Sequence, residues 1–479
     1  MTSLAARPDD APAVRTARTP TERLALAGLS LSMLLSSLGT SIANVALPAL
    51  GQAFGASFQQ VQWIVLAYLL GVTTLIVSVG RLGDLTGRRR LLVAGITLFT
   101  VASVLCGVAP SLWLLIAARA AQGLGAAVMM ALTMAFVGET VPKERTGSAM
   151  GLLGAMSAVG TALGPSLGGA LLSGLGWRAV FLVAAPLGLL TLLLTHRHLP
   201  ADRRAERTGD RVRLDGTGTL LLALALAAYA LAMTIGHGRF GVLNLALLVA
   251  AAAGIAVFVR VEARAAAPLI RPAMFRDRRL SASLAMSTLV STVMMATLVV
   301  GPFYLARTLG LGAAAVGLAL SVGPVVAALT GVPAGRIADR FGTGRTTALG
   351  LTAITAGALV LAVTPASAGL AGYLAPLVVV TAGYAVFQTA NNTAVMAEVP
   401  AERRGVVSGL LNLSRNLGLV TGASVMGAVF ALASAAPDVG TAGPAAVATG
   451  MRVTFAVAAV LVLAALALAR TARRQPLPA

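Results

Sequence analysis

The sequence predicts an all-α integral membrane protein of 14 transmembrane helices, built as two pseudo-symmetric six-helix bundles plus an inserted helix pair. Three observations predict it. The chain is 57% hydrophobic and only 11% charged, with a mean hydropathy of +0.88, far from the composition of soluble domains. Apolar runs of about 18 residues or more recur along its whole length, each long enough to span a bilayer. Two stretches of the first half repeat in the second.

Residues 1–22 are polar, carry Arg7, Arg15 and Arg18 with Asp9 and Asp10, and read as a disordered cytoplasmic tail. The apolar run after them is too long for a signal-peptide core and stays as a helix. Fourteen spans follow, at 24–50, 60–80, 91–109, 111–138, 146–174, 178–195, 216–235, 241–261, 281–306, 313–335, 346–364, 369–397, 405–434 and 451–470. With the N-terminus inside, 30 of the 36 Lys and Arg fall on inner tails and loops. Four, Arg178, Arg239, Arg307 and Arg452, fall outside, and Arg119 and Arg415 lie within apolar segments. This split supports the span count and a plasma (inner) membrane orientation with both termini cytoplasmic. The net charge of +20 therefore sits in short gaps and implies no nucleic-acid partner. The single cysteine, Cys106, excludes an intrachain disulfide.

Two longer basic loops, 196–215 and 262–280, bracket one pair of helices. The organisation is then a six-helix bundle over 23–195, loops and inserted pair over 196–280, a second bundle over 281–470 and a tail over 471–479. His196 and His198 lack a third metal ligand and read as part of a solvated loop. The halves repeat: GRLGDLTGRRR at 80–90 matches GRIADRFGTGR at 335–345, and VPKERTGSAMGLL from Val141 matches VPAERRGVVSGLL from Val399. At the latter offset of 258, Gly151, Gly160, Gly164 and Gly169 meet Gly409, Gly418, Gly422 and Gly427, whereas Pro165 meets Ala423. Internal repeats in a polytopic protein point to a transporter with its site between them.

The fifth span carries glycine at 160, 164 and 168 on one helical face. Small residues at that spacing let helices approach closely in lipid, and Pro165 removes a backbone donor and weakens the helix there. This is a moving contact or a static packing face. Asp84, followed by Arg88, Arg89 and Arg90, can pair with arginine or cap a helix from the other half, and Asp339 repeats it. It forms an inner gate, or it offsets a basic loop. Arg119 lies about eight residues into the fourth span, where a guanidinium costs at least ~2.5–3.5 kcal/mol unless it faces a cavity or polar partners. Gln122, one turn on, supplies an amide.

These residues resemble the major facilitator superfamily, and within it the fourteen-helix drug:proton antiporter group, over about 24–470. Gly80, Leu82, Gly83, Asp84, Gly87, Arg88 and Arg89 match the signature between helices 2 and 3. Arg119, Gln122, Gly123 and Gly125 match the helix-4 signature RxxQGxG. Gly151, Gly160, Gly164, Pro165, Gly168 and Gly169 match the antiporter signature of helix 5, and Trp177, Arg178, Phe181 and Pro186 a further pattern. The resemblance implies export rather than uptake, an inner gate at Asp84, Arg88, Arg89 and Asp339, an antiporter hinge in helix 5, and a proton-coupling role for Arg119. It also implies a monomer working with small-molecule substrate, protons and the lipid bilayer. The alternatives are an uptake symporter or uniporter for a small metabolite, and a non-transporting receptor on the same fold.

One departure matters. The group carries an aspartate in helix 1, in a pattern like LDxTIVNVALP, and here Gly39 stands in its place within LGTSIANVALP. No other carboxylate lies deep in a span. Glu139 and Glu398, at the inner ends of spans four and twelve, are the remaining coupling candidates with Gln122. A cavity with Arg119 and no deep acid has a positive potential, so the expected substrates are neutral or anionic amphiphiles. Its wall candidates are Asn44, Tyr68, Met130, Met134, Tyr304, Gln388, Asn391, Asn392 and Arg415. Arg415 equally reads as a packing arginine satisfied by Asn412 and Asn416. No metal cluster, phosphate-cradling loop or nucleophile–base set stands out, so no cofactor, no metal and no enzymatic reaction is expected.

Overall fold

The computed structural model describes residues 20–76, 78–140, 146–200, 216–235, 241–264, 272–397, 399, 404–434 and 442–473, all of them helix, turn or irregular backbone with no strand. The first half comprises α1 (Pro20–Phe54), α2 (Phe58–Ile76), a short α3 (Val79–Thr86), α4 (Arg88–Val108), α5 (Leu112–Thr140), α6 (Thr146–Leu175), and α7 (Trp177–Leu182) continuing into α8 (Ala184–His198). The inserted pair is α9 (Gly216–Thr234) and α10 (Val242–Arg264). The second half comprises α11 (Arg278–Phe303), α12 (Ala313–Phe341), α13 (Thr343–Val363), α14 (Gly369–Ala397), α15 (Arg404–Thr421), α16 (Gly427–Ala433) and α17 (Pro444–Arg473). A π-helical turn at Tyr304–Thr308 ends α11, and another at Gly422–Met426 joins α15 to α16. Among the described residues, fourteen stretches are long and apolar enough to cross a membrane.

Boundaries move where local chemistry favours helix. The repeat at 80–90 is helical over Val79–Thr86, set off from α2 by a turn in which the Ser78 N–H donates to the Leu75 carbonyl at 2.9 Å. The last span starts at Pro444 rather than 451. Proline suits the first helical turn because its missing N–H would have no partner there, and an alanine-rich run follows it. Gly87 and Gly342 occupy equivalent places in the repeat. Both have positive φ, 94° and 80°, and turn the chain between α3 and α4 and between α12 and α13. That backbone region is open to glycine at little cost.

The helix pairings repeat as the sequence does. α1 packs on α6 and α8, α2 on α5, and α4 on α5 and α8. Likewise α11 packs on α15 and α17, α12 on α14, and α13 on α14 and α17. The close approaches are glycine-lined. A Cβ on Gly160 would stand 2.3 Å from the Leu34 carbonyl oxygen, and one on Gly418 would stand 2.3 Å from that of Thr288. Gly95 meets Gly125 as Gly350 meets Gly383.

Between the halves, α6 crosses α12, α2 crosses α15, and α1 touches α11. The inserted α9 lies along α2, with Trp63 Nε1 donating to Thr234 Oγ1 at 3.0 Å and the Ser78 and Thr219 hydroxyls 2.7 Å apart. The Tyr229 hydroxyl reaches the Thr421 and Ser424 side chains, so α9 touches both halves. α10 packs on α9 and leaves Val242, Leu245 and Val249 exposed, as a lipid-facing helix does.

Candidate functional site: a sealed arginine and the seam between the halves

Arg119 is 0% exposed. Its Nε donates to the Ile64 carbonyl at 3.0 Å, one terminal nitrogen to the Gly39 carbonyl at 2.9 Å, and the other to Gln122 Oε1. Gln122 Nε2 donates in turn to Ser103 Oγ at 2.7 Å, and Ser103 to the Phe99 carbonyl at 2.7 Å. The guanidinium also lies over the Tyr68 ring at 4.3 Å, and the Tyr68 hydroxyl donates to the Ser36 carbonyl at 2.7 Å. The planar fork of an arginine matches such spread acceptors, which a lysine point charge does not. The acceptors come from α1, α2 and α5, so one side chain ties three helices together.

The surrounding glycines make this possible. A Cβ on Gly123 would sit 2.2 Å from the Tyr68 carbonyl oxygen, so α2 and α5 touch backbone to backbone. A Cβ on Gly39 would sit 2.9 Å from the Tyr68 hydroxyl and 3.3 Å from Phe99. The place of the family aspartate is therefore filled by a tyrosine, and the Gly39 carbonyl takes over as acceptor. Of the two surroundings the sequence offers Arg119, a cavity or polar partners, polar partners are what it has: backbone carbonyls, the Gln122 amide and two aromatic rings surround it within the helix packing.

The cavity candidates have different immediate surroundings. Tyr68 belongs to the arginine network. Tyr304 is buried with its ring 5.6 Å from that of Tyr373, and neither hydroxyl has a partner. Asn44 is buried and donates to the Thr40 and Ser41 carbonyls at 3.2 Å each, leaving its Oδ1 unpartnered. Met130 is half-buried and Met134 exposed on α5. Gln388 and Asn392 are half-buried on one face of α14 with unpartnered carbonyl oxygens, and the buried Asn391 reaches the Ser283 carbonyl at 3.4 Å. Arg415 is half-buried on α15, its Nε without a partner. Arg88 and Arg89 open α4, Arg89 donates to the His196 carbonyl, and Asp339 is exposed near the end of α12. The Asp84, Glu139 and Glu398 side chains lie outside the described residues.

The hinge glycines of α6 do come together on two partners. Gly160, Gly164 and Gly168 press on α1 at Leu34, Ser41 and Ile42. Gly169 presses on Ala313 and Gly317 of α12, and a Cβ on Gly317 would stand 2.3 Å from the Pro165 carbonyl oxygen. Gly151 lies in the first turns of α6. The helix runs through Pro165 without a break, from Thr146 to Leu175. The one intrahelical bond that the proline removes is the one to the Thr161 carbonyl, four residues back, and the Ser166 hydroxyl donates beside it, to the Ala162 and Leu163 carbonyls.

Sequence reasoning missed the partner seam. Gln62 Nε2 donates to the Ala423 carbonyl at 3.0 Å, inside the π turn of the other half. Gly427 lies so close that a Cβ would stand 1.7 Å from that nitrogen. Beside it, the Phe58 ring stands 4.8 Å from Phe303 and 5.6 Å from Phe430. The signal was available in FQQVQW at 58–63, where glutamines interrupt an apolar span. These contacts and the Gly169–Gly317 crossing lie toward the end of the bundle away from Pro20 and Arg473.

Comparison with known proteins agrees. The profile of the Major Facilitator Superfamily matches residues 29–423. The chain is 33% identical over 415 residues to the multidrug resistance protein Stp of Mycobacterium tuberculosis, covering 86% of this chain and 76% of that one. It is 32% identical over 422 residues to the multidrug efflux pump LfrA of Mycolicibacterium smegmatis, covering 87% and 82%. A bacterial homologue of the human lysosomal transporter Spinster, solved in an inward-facing and occupied conformation, superposes with a TM-score of 0.70 at 18% identity, covering 97% of this chain and 100% of that one. The repeated helix pairings, the signature residues in register and these likenesses lead to one conclusion: the chain is a multi-pass membrane transporter that belongs to the major facilitator superfamily.

Proposed function

We propose that this transporter is a secondary exporter of amphipathic, drug-like or antibiotic molecules, working by alternating access with proton antiport. The observation that carries the reading is the seam at the end away from Pro20 and Arg473. There the halves meet through Phe58, Phe303 and Phe430, the Gln62–Ala423 bond and the Gly169–Gly317 crossing. Packed interfaces switch between discrete arrangements rather than deforming smoothly. A second state follows if that seam opens and the arginine-rich end closes. With that end cytoplasmic, as the charge asymmetry favours, the present arrangement is closed to the outside. Arg88, Arg89 and Asp339 stand at the end that would close, as an inner gate. The similarity to Stp and LfrA supports drug-like cargo.

Neutral or anionic substrates are favoured over cations. Gly39 replaces the helix-1 acid, and Arg119 is the charge embedded beside it. The protein reconstituted in liposomes tests this with cationic, neutral and anionic amphiphiles, with and without an imposed pH gradient. Gradient-driven movement of neutral or anionic probes, with ethidium left behind, is the expected result. Ethidium flux equal to theirs refutes the charge preference. Flux indifferent to the gradient refutes proton coupling. The double variant Gly39→Asp with Tyr68→Phe restores an acid and removes the hydroxyl that blocks it, and should gain ethidium transport.

A further inference from the structure

A crevice of about 300 Å³ opens at the arginine-rich end of the second half. Arg279 and Ser283 of α11, Gly344 and Thr347 of α13, Asn391 of α14 and Ala469 of α17 line it. It lies off the seam. α13 and α17 pack on second-half helices, and their outward residues Leu349, Val360, Val460 and Leu463 are exposed, as on a lipid-facing surface. The volume equals about ten waters at ~30 Å³ each, enough for a phosphoglycerol group.

The repeat explains why the crevice exists. The match of 80–90 with 335–345 puts Gly344 where the first half has Arg89. There the Arg89 guanidinium crosses from α4 and donates to the His196 carbonyl at the end of α8. Gly28 of α1 also presses on Thr195 of α8, where a Cβ would stand 3.1 Å from its methyl. The first half thus closes this corner with its own side chain. Glycine at 344 leaves the corresponding space between α11, α13 and α17 open, with a guanidinium at its wall.

Basic side chains crowd the opening. Arg276, Arg278, Arg345 and Arg470 are exposed on the segments that frame the opening. Asp277, the neighbouring carboxylate, caps α11 by accepting from the Arg279 and Leu280 N–H groups at 2.9 and 3.2 Å. Gly342 gives α13 no side-chain cap, so first-turn N–H groups of that helix add positive potential at Gly344. Met286, deeper on α11, and Ala469 supply an apolar floor. Basic pockets between transmembrane helices at a headgroup level suit anionic phosphates.

We propose that this crevice binds the phosphodiester headgroup of an anionic membrane lipid from the leaflet at the arginine-rich end. Arg279 pairs with the phosphate, and Met286 and Ala469 lie along the first methylenes. The test uses the full-length protein in detergent, titrated with phosphatidylglycerol or phosphatidylcholine and read by native mass spectrometry. Phosphatidylglycerol should be retained in preference to phosphatidylcholine. Arg279→Gln should weaken retention about fivefold, the worth of one basic side chain at an anionic surface. Gly344→Arg, which rebuilds the first-half plug, should abolish the preference. Arg452→Gln, at the opposite end, should leave it unchanged. If Gly344→Arg does not fold, the readout is the rise in Tm that phosphatidylglycerol gives the wild type, which Arg279→Gln should lose. Equal retention of the two lipids, or retention unaltered in Arg279→Gln, overturns the proposal. So does full competition by millimolar inorganic phosphate, which would make the ligand a free anion rather than a lipid.

Discussion

The two six-helix halves share their glycine contacts and differ in almost everything polar that the contacts enclose. At offset 258 the buried Leu377 stands where the first half has Arg119. Gly418 and Gly422 pack on Thr288, Ser291 and Thr292 as Gly160 and Gly164 pack on Leu34, Ser37 and Ser41. That correspondence sets the buried Val293 against Gly39. The second half therefore has an apolar interior where the first holds a charge tied to two carbonyls and an amide. The helices of the seam diverge as well. α6 keeps its proline and a continuous α-helix, while its counterpart has Ala423 and a π turn. The lesson is that close packing is what the duplication preserved, and that each half was then free to specialise the backbone and charge behind it.

The largest test of this contrast exchanges its centre. Arg119→Leu leaves the Gly39 and Ile64 carbonyls and the Gln122 amide without their donor. It should cost roughly 3–5 kcal/mol, as removing one member of a buried charged set does, and abolish flux. Thermal unfolding of the purified protein reads this, and a Tm equal to wild type would show that Arg119 is no structural tie. Next come the shared glycines. Gly164→Ala places a Cβ 1.9 Å from Ser41 Oγ, and Gly422→Ala places one 2.5 Å from the Thr292 carbonyl oxygen. Each should lose ~1–3 kcal/mol through overpacking. A harmless result in one half alone would break the packing equivalence. Gly154→Ala, with nothing within 4 Å, is the control.

Smaller effects follow at the seam. Gln62→Leu strips the Ala423 carbonyl of its donor at the π turn and should cost ~1–3 kcal/mol. Substrate-accessibility labelling should then report a looser closed end, and unchanged labelling would remove Gln62 from the seam. Pro165→Ala has the least effect on stability. The α-helix already runs through that position, so Tm should hold or rise slightly while flux in liposomes falls. Flux at the wild-type level would mean that the proline is packing alone.

Much of this was legible in the chain. Apolar length gave the spans because each backbone group in lipid must bond within its own helix. Glycines four apart gave the α1–α6 contact, and RxxQ gave the Arg119–Gln122 pair, since residues three apart share a helix face. The Gly39 carbonyl as an arginine acceptor was not legible, because every residue carries the same carbonyl. Nor was the π turn at the place equivalent to Pro165, or the glutamine of another helix that donates into it. Asn44, Tyr304 and Arg415 look alike in the sequence because each is polar in an apolar span. The partners of each were not legible: Asn44 donates to carbonyls of its own helix and Tyr304 lies beside Tyr373.

The sequence by itself determined the number of spans, their duplication and the places where two helices touch. Hydropathy, periodicity and the absence of a side chain are local properties, and they act within a few turns. Only the tertiary structure decided that Arg119 is enclosed, that Phe58 and Gln62 meet the other half, and that Arg89 fills a corner which Gly344 leaves open. Each of these depends on which carbonyl, ring or empty volume a distant helix brings within reach.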